Sequence, residues 1–283
     1  MFYKLIRIVD EDLITKKVEY EILRKFNTEE KEYIDACISN VHYFQVFAFS
    51  WSAILNNLKD LKVVVDEFAS QYENTLSGSR DRATYVTKVA EVVRSASNFL
   101  SSANMFLALI EAKFFCNETK DKWVSKKRNL HADNLCYRLC YELRNHSQHA
   151  GLPISGVQAN DIGLDSAHGE IYLEKELILS DKKSTEKLRK YISEYEGDIS
   201  LIPIFDSYSE ILKQLFMYFI ELSDQYYKSI PEFYDRYSKY QRKNSSLIYV
   251  SGNVPNNEIL LKMTRLQLGT FQWMLELTKN KNI

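Results

Sequence analysis

Glycine and proline are scarce, at 8 and 4 of 283 residues. Both interrupt helices, so their rarity favours a helical chain with few tight turns. An excess of charge is also missing. Lys plus Arg number 37 against 38 Asp plus Glu, a formal charge of -1. That excludes a globally basic nucleic-acid binder and leaves only a local basic patch for such a role. The four cysteines, Cys37, Cys116, Cys136 and Cys140, lack the paired spacing of a disulfide framework, which points to a reducing compartment, the cytoplasm. No stretch reaches about 18 uninterrupted apolar residues, so no transmembrane helix is expected. The N-terminal MFYKLIRIVDEDL carries acids too early for a secretory signal and has no long apolar core. A Gly-rich phosphate loop, an HExxH zinc-protease motif and a G-x-S-x-G elbow are all absent.

What is present is ordinary globular composition, 45 % hydrophobic and 27 % charged. The length is ample for a core, and one domain over residues 1–283 is the simplest account. Residues 1–26 are mixed, with candidate strands at Phe2–Val9 and Val18–Phe26. Asn27 followed by Glu30 resembles a capping box. The helix after it carries Ile34, Cys37, Ile38, Val41 and Phe44 at helical spacing. It becomes apolar nearly all round through Phe47, Phe49, Trp51, Ile54 and Leu55, which predicts a central helix reaching about Leu76. After Ser77-Gly78-Ser79, a second helix is expected over Arg80–Cys116. Its stripe (Val86, Val89, Val93, Leu100, Ala103, Leu107, Ile110, Phe114) is close to a seven-residue repeat and suits antiparallel packing on the first.

Residues 117–130 are polar and Lys-rich. A further helix begins near Asp133 or Asn134, buries Leu135, Leu139 and Leu143, and ends at Gly151 and Pro153. Residues 154–180 read as a small β insertion, with Ile171, Leu173, Leu177 and Leu179 in strand-like alternation. Helices resume over 181–283: near Ser184, over Asp206–Tyr227 and after Ser229-Ile230-Pro231. A short strand at Leu247–Val250 and a last helix at Asn257–Thr278 follow. The fold class is mainly α, a helical bundle with a long helical hairpin and a small β insertion.

The stretch with the most chemistry is Tyr141-Glu142-Leu143-Arg144-Asn145-His146-Ser147-Gln148-His149, at the end of a helix. Arg144 offers phosphate oxygens a fixed fork of donors. His149 can take or give a proton near neutrality, and Asn145 can orient either one. On a straight helix, positions five apart differ by roughly 140°. Arg144 and His149 therefore converge only if the last turn unwinds or a second copy of the motif faces them. The bland reading is that both side chains meet the helix dipole at its C-terminus.

Arg144-Asn145-x-x-x-His149 resembles the R-x4-6-H signature of HEPN domains, a family in which Asn, Asp or His often follows the Arg. The surrounding LRN, QH and GLP resemble HEPN-containing defence-associated proteins. The resemblance is sharp over 135–153 and architectural elsewhere. It implies a helical homodimer and a metal-independent endoribonuclease, acting as a toxin or antiviral-defence effector on RNA, held in check by a protein partner or antitoxin. It implies no cofactor and no membrane association. Catalysis would rest on Arg144, Asn145 and His149. The alternative within the family is a catalytically silent binding or scaffold module.

Three further features have two readings each. Cys136 and Cys140 share a helix face and, with His146 and His149, could hold zinc, or be core thiols. Lys120, Lys122, Lys126, Lys127 and Arg128, with Trp123 among them, could bind RNA backbone with an aromatic to stack on, or form a solvated linker. The tyrosines Tyr218, Tyr226, Tyr227, Tyr234, Tyr237 and Tyr240 could stack on bases, or be core and interface residues.

Overall fold

The computed structural model describes residues 2–12, 17–75, 82–114, 117–150, 154–160, 168–243, 245–253 and 260–279. In chain order its first elements are β1 (Phe2–Asp12), β2 (Lys17–Phe26), α1 (Thr28–Thr75), α2 (Arg82–Ala112), α3 (Asn117–Asp133), α4 (Leu135–Ala150) and β3 (Ile154–Asn160). Next come β4 (His168–Leu173), α5 (Lys175–Ser180), α6 (Glu186–Ser193), β5 (Ile199–Ser200), α7 (Leu201–Leu222) and α8 (Asp224–Tyr227). The last are α9 (Ser229–Tyr237), β6 (Ser246–Asn253), β7 (Leu260–Arg265) and α10 (Leu268–Lys279). The described chain is mainly helical. None of its helices is long and apolar enough to cross a membrane.

Expected as one domain, the chain clusters into two compact units: residues 1–48 with 223–283, and residues 49–222. The first unit holds an antiparallel sheet in the order β2-β1-β6-β7. Both candidate strands at the N-terminus are therefore real, and they pair as a hairpin. Asn27 Oδ1 accepts the Glu30 N–H at 2.9 Å, one half of the predicted capping box. The Glu30 carboxylate does not close the box. It accepts from Arg24 Nη1 at 2.8 Å and from the Tyr237 hydroxyl at 2.6 Å, which ties β2 and α9 to the start of α1. Its hydrogen bonds from Arg24 hold the carboxyl below its usual range against the opposing effect of burial.

The second unit carries the predicted helical hairpin. Trp51 meets Phe106 at 5.7 Å between centroids, Asn57 Nδ2 donates to the Asn98 carbonyl, and Phe68 meets Tyr85 at 5.5 Å. One number rises as the other falls, so α1 and α2 run antiparallel. The all-round burial expected of α1 is corrected: Val46 is 44 % and Phe49 54 % exposed, so one side stays open. A second sheet, β3-β4-β5, belongs to this unit. β4 lies close to α1 at Gly169, whose N–H donates to Asp66 Oδ1 at 3.2 Å and where any Cβ would overlap the Val65 carbonyl.

Three local expectations fail. Leu177 and Leu179 lie in α5, not a strand, because Ile178 between them is the residue that is buried. Asn257–Thr278 is not one helix: β7 extends the first sheet, and α10 begins only at Leu268. Together with the β1–β2 hairpin, β7 makes the β-structure more than an insertion. The segment 117–130 is neither loop nor linker but α3. Its sole buried side chain is Trp123, 0 % exposed, packed on Phe114 at 5.9 Å with Nε1 donating to the Leu215 carbonyl at 3.4 Å. Finally, the helix stop expected at Gly151 and Pro153 lies outside the described residues.

Trp123 is thus the apolar anchor of an otherwise polar helix. Trp123→Ala should cost about 3–5 kcal/mol, read as a lower urea midpoint by circular dichroism. A loss under about 1 kcal/mol, the range of surface changes, would mean that α3 is not held by this contact.

Candidate functional site

α4 carries the predicted cluster. Asn134 starts it, its carbonyl accepting the Arg138 N–H at 3.2 Å and its Nδ2 donating to the Leu130 carbonyl at 2.8 Å. Tyr137, Leu139, Cys140, Leu143 and His146 are buried, where α4 packs against α2, α3, α6 and α7. The helix is regular through Ala150, so the last turn does not unwind and that route to bringing Arg144 and His149 together is closed. The His149 side chain lies outside the described residues, but its backbone position is helical.

At about 100° per residue, the Arg138, Asn145 and His149 positions fall within about 40° of one another on one stripe. Arg144 is about 100° from Asn145. Its guanidinium nonetheless turns towards that stripe: Nη1 donates to Asn145 Oδ1 at 3.0 Å. The Arg144 carbonyl accepts from the Ser147 hydroxyl at 2.8 Å. Beneath, burial pushes the Tyr208 phenol well above its ordinary value, and the positive charge of Arg144 acts the other way. The structure therefore brings Arg144 and Asn145 together on the half-exposed side of α4.

His146 faces the other way. It is 5 % exposed, with Nε2 3.5 Å from Asp181 Oδ2. Burial holds its pKa below the ordinary 6.5, partly offset by Asp181. One turn earlier, buried Glu142 accepts from the Thr185 hydroxyl at 2.9 Å, and Thr185 Oγ1 caps α6 by accepting the Leu188 N–H at 3.1 Å. Reading the sequence missed Asp181 and Thr185, which reach α4 from a distant segment. It also missed His131 and Tyr141, although Tyr141 lies four before Asn145 and the spacing could have flagged it.

The other candidates sort as follows. Cys140 is fully buried and its thiol is pushed up by that burial. Among the described residues, no three His, Cys, Asp or Glu are grouped to hold a metal. Lys120, Lys122, Lys126 and Arg128 are exposed on α3. Lys122 pairs with Glu118 at 2.7 Å and Lys127 with Glu111, while Lys126 lies over Tyr218. Trp123, being buried, cannot be the stacking surface of that stretch. Tyr237 is core, and Tyr227 donates to or accepts from Thr278 at 2.6 Å.

Comparison of the chain with family models, curated proteins and solved structures finds no match.

The burial of neutral His146 carries a pH signature. A base whose folded pKa is depressed makes the unfolded chain the better proton acceptor. Its stability is therefore complete above 6.5, the unfolded value, and falls as pH drops below it. Urea midpoints at about pH 7.5 and about pH 5.5 should differ in the wild type, and His146→Gln should narrow that difference. An unchanged difference in the variant would show that other groups set the slope.

Proposed function

We propose that the chain is a HEPN-type endoribonuclease acting in the cytoplasm as a toxin or defence effector, with Arg144, Asn145 and His149 at its centre. The observation that carries this reading is the Arg144–Asn145 hydrogen bond on an unbroken helix. It draws the guanidinium towards the stripe that Asn145 shares with position 149; with the last turn wound, a second copy of the motif is what completes the cation and base around one phosphate.

The chemistry follows from the residue types. His149 takes the proton of an RNA 2′-hydroxyl, and the freed oxygen attacks the adjacent phosphorus. The bond to the 5′-oxygen breaks, and that oxygen leaves as a hydroxyl after gaining a proton. The products are a 2′,3′-cyclic phosphate and a 5′-hydroxyl end. Arg144 neutralises charge growing on the phosphoryl oxygens, and Asn145 holds Arg144. The nucleophile belongs to the substrate, so the scheme needs no metal. In a homodimer the second motif supplies the acid, and a protein partner or antitoxin restrains the activity. The exposed α3 cations Lys120, Lys122, Lys126 and Arg128 attract RNA from solution.

One observation favours the silent binding module instead: the Arg144 and His149 positions remain about 140° apart on the helix. Cleavage decides between them. Purified protein in EDTA should cut RNA to cyclic-phosphate ends, and Arg144→Ala and His149→Ala should each lower the rate at least about 100-fold while circular dichroism stays unchanged. Cleavage that survives both substitutions would put the chemistry elsewhere. No cleavage across varied RNAs would favour the silent module.

A further inference from the structure

Next to the motif stands an aromatic pair that the cleavage scheme does not use. His131, near the end of α3, meets two α4 rings at right angles: Tyr137 at 5.4 Å and Tyr141 at 5.8 Å between centroids. The two tyrosines differ in exposure. Tyr137 is 2 % exposed and belongs to the core, whereas Tyr141 is 42 % exposed. Tyr141 thus presents an exposed ring that meets His131 at a right angle. It lies four residues before Asn145, just over one turn along the helix, about 6 Å.

Charges of both signs lie around this pair. After burial, the largest influence lowering the pKa of His131 is Arg138, with Lys187 and Lys127 adding to it and Glu142 opposing them. These cations come from three helices, α3, α4 and α6. Two of these cations already face an acid. Glu142 accepts from Thr185, Glu111 pairs with Lys127, and Glu194 lies 3.9 Å from Arg138. Lys187 is exposed on α6. An exposed aromatic ring beside Arg138 and Lys187, about one turn from the Arg144–Asn145 pair, matches a strand of unpaired nucleotides: bases offer π faces and phosphates offer charge. A duplex hides those faces in its stack.

We propose that Tyr141, beside His131, is a stacking platform for one unpaired nucleobase of an RNA strand whose phosphates run over Arg138 and Lys187 to reach Arg144. The proposal deepens the nuclease reading and rests on it for the identity of the strand. It places the stacked base on a nucleotide flanking the scissile bond.

The test separates binding from cleavage. A short, fluorescently labelled 2′-O-methyl RNA, which lacks the nucleophile, is titrated with the protein by anisotropy, as a single strand and as a duplex. Tyr141→Ala should weaken single-strand binding about 5- to 100-fold, the range for loss of one base–aromatic stack. Tyr141→Phe should stay within about twofold of wild type. Tyr141→Leu, which keeps an apolar contact for His131 without a π face, should behave like Tyr141→Ala. Lys187→Glu should weaken binding and flatten its salt dependence. Equal binding of single strand and duplex, or wild-type binding by both Tyr141→Ala and Tyr141→Leu, would overturn the platform. If those variants bind normally while Arg144→Ala and His149→Ala abolish cleavage, the platform fails and the nuclease reading stands. If the wild type binds single strands through Tyr141 but cleaves nothing, the platform stands and the nuclease reading fails.

Discussion

The geometry of the candidate site depends on one constraint, the burial of the inner stripe of α4. Tyr137, Leu139, Cys140, Leu143 and His146 are all buried. With that stripe committed to the core, the helix cannot rotate, and regular helical geometry fixes where every other residue points. Arg138, Tyr141 and Asn145 follow on the open side because the apolar residues have taken the closed one. Sites carried on packed helices are held more tightly than sites on loops. Here one rigid element holds the two motif residues whose side chains are described.

The same packing brings polar groups inside. Glu142 reaches Thr185, and His146 reaches Asp181, whose backbone carbonyl also accepts from Arg189 Nη2 at 2.8 Å. These contacts join the motif helix to the segment between α5 and α6. An apolar contact would hold the two together equally well but would not select one register over another, whereas a hydrogen bond tolerates little sliding. His146 lies 3.5 Å from Asp181 as a ring that burial keeps from protonating, against its attraction to that carboxylate. A charged residue there would need full pairing to avoid a large desolvation cost.

Much of this was legible in the sequence where apolar periodicity was strong. The α1–α2 hairpin announced itself through spacing and the start of α4 through its capping residues, while the N-terminal strands were candidates in a mixed segment. α3 did not, because a single residue, Trp123, supplies its buried contact, and one anchor makes no period. α5 misled because Leu177 and Leu179 alternate, yet the apolar residue between them is the buried one. In the site, residue type and spacing were enough to find Arg144 and Asn145. Asp181 and Thr185 were invisible because their proximity to α4 arises only from the fold. Trp123 was read as an aromatic among lysines, while the exposed ring is Tyr141, at the head of the motif stretch but given no role there.

The identity of residue 145 connects this packing to chemistry. A carboxylate beside Arg144 would bind the guanidinium more strongly, but it would cancel its charge. The neutral amide accepts one N–H from Arg144 and leaves the net positive charge intact. Its own NH2 group stays available to donate to an anion. The long Arg144 stem starts about 100° round the helix from Asn145, so without this hydrogen bond nothing described would draw its head towards position 149. Asn145 thereby sets the direction of the cation at no cost in charge, which a buried salt bridge could not do.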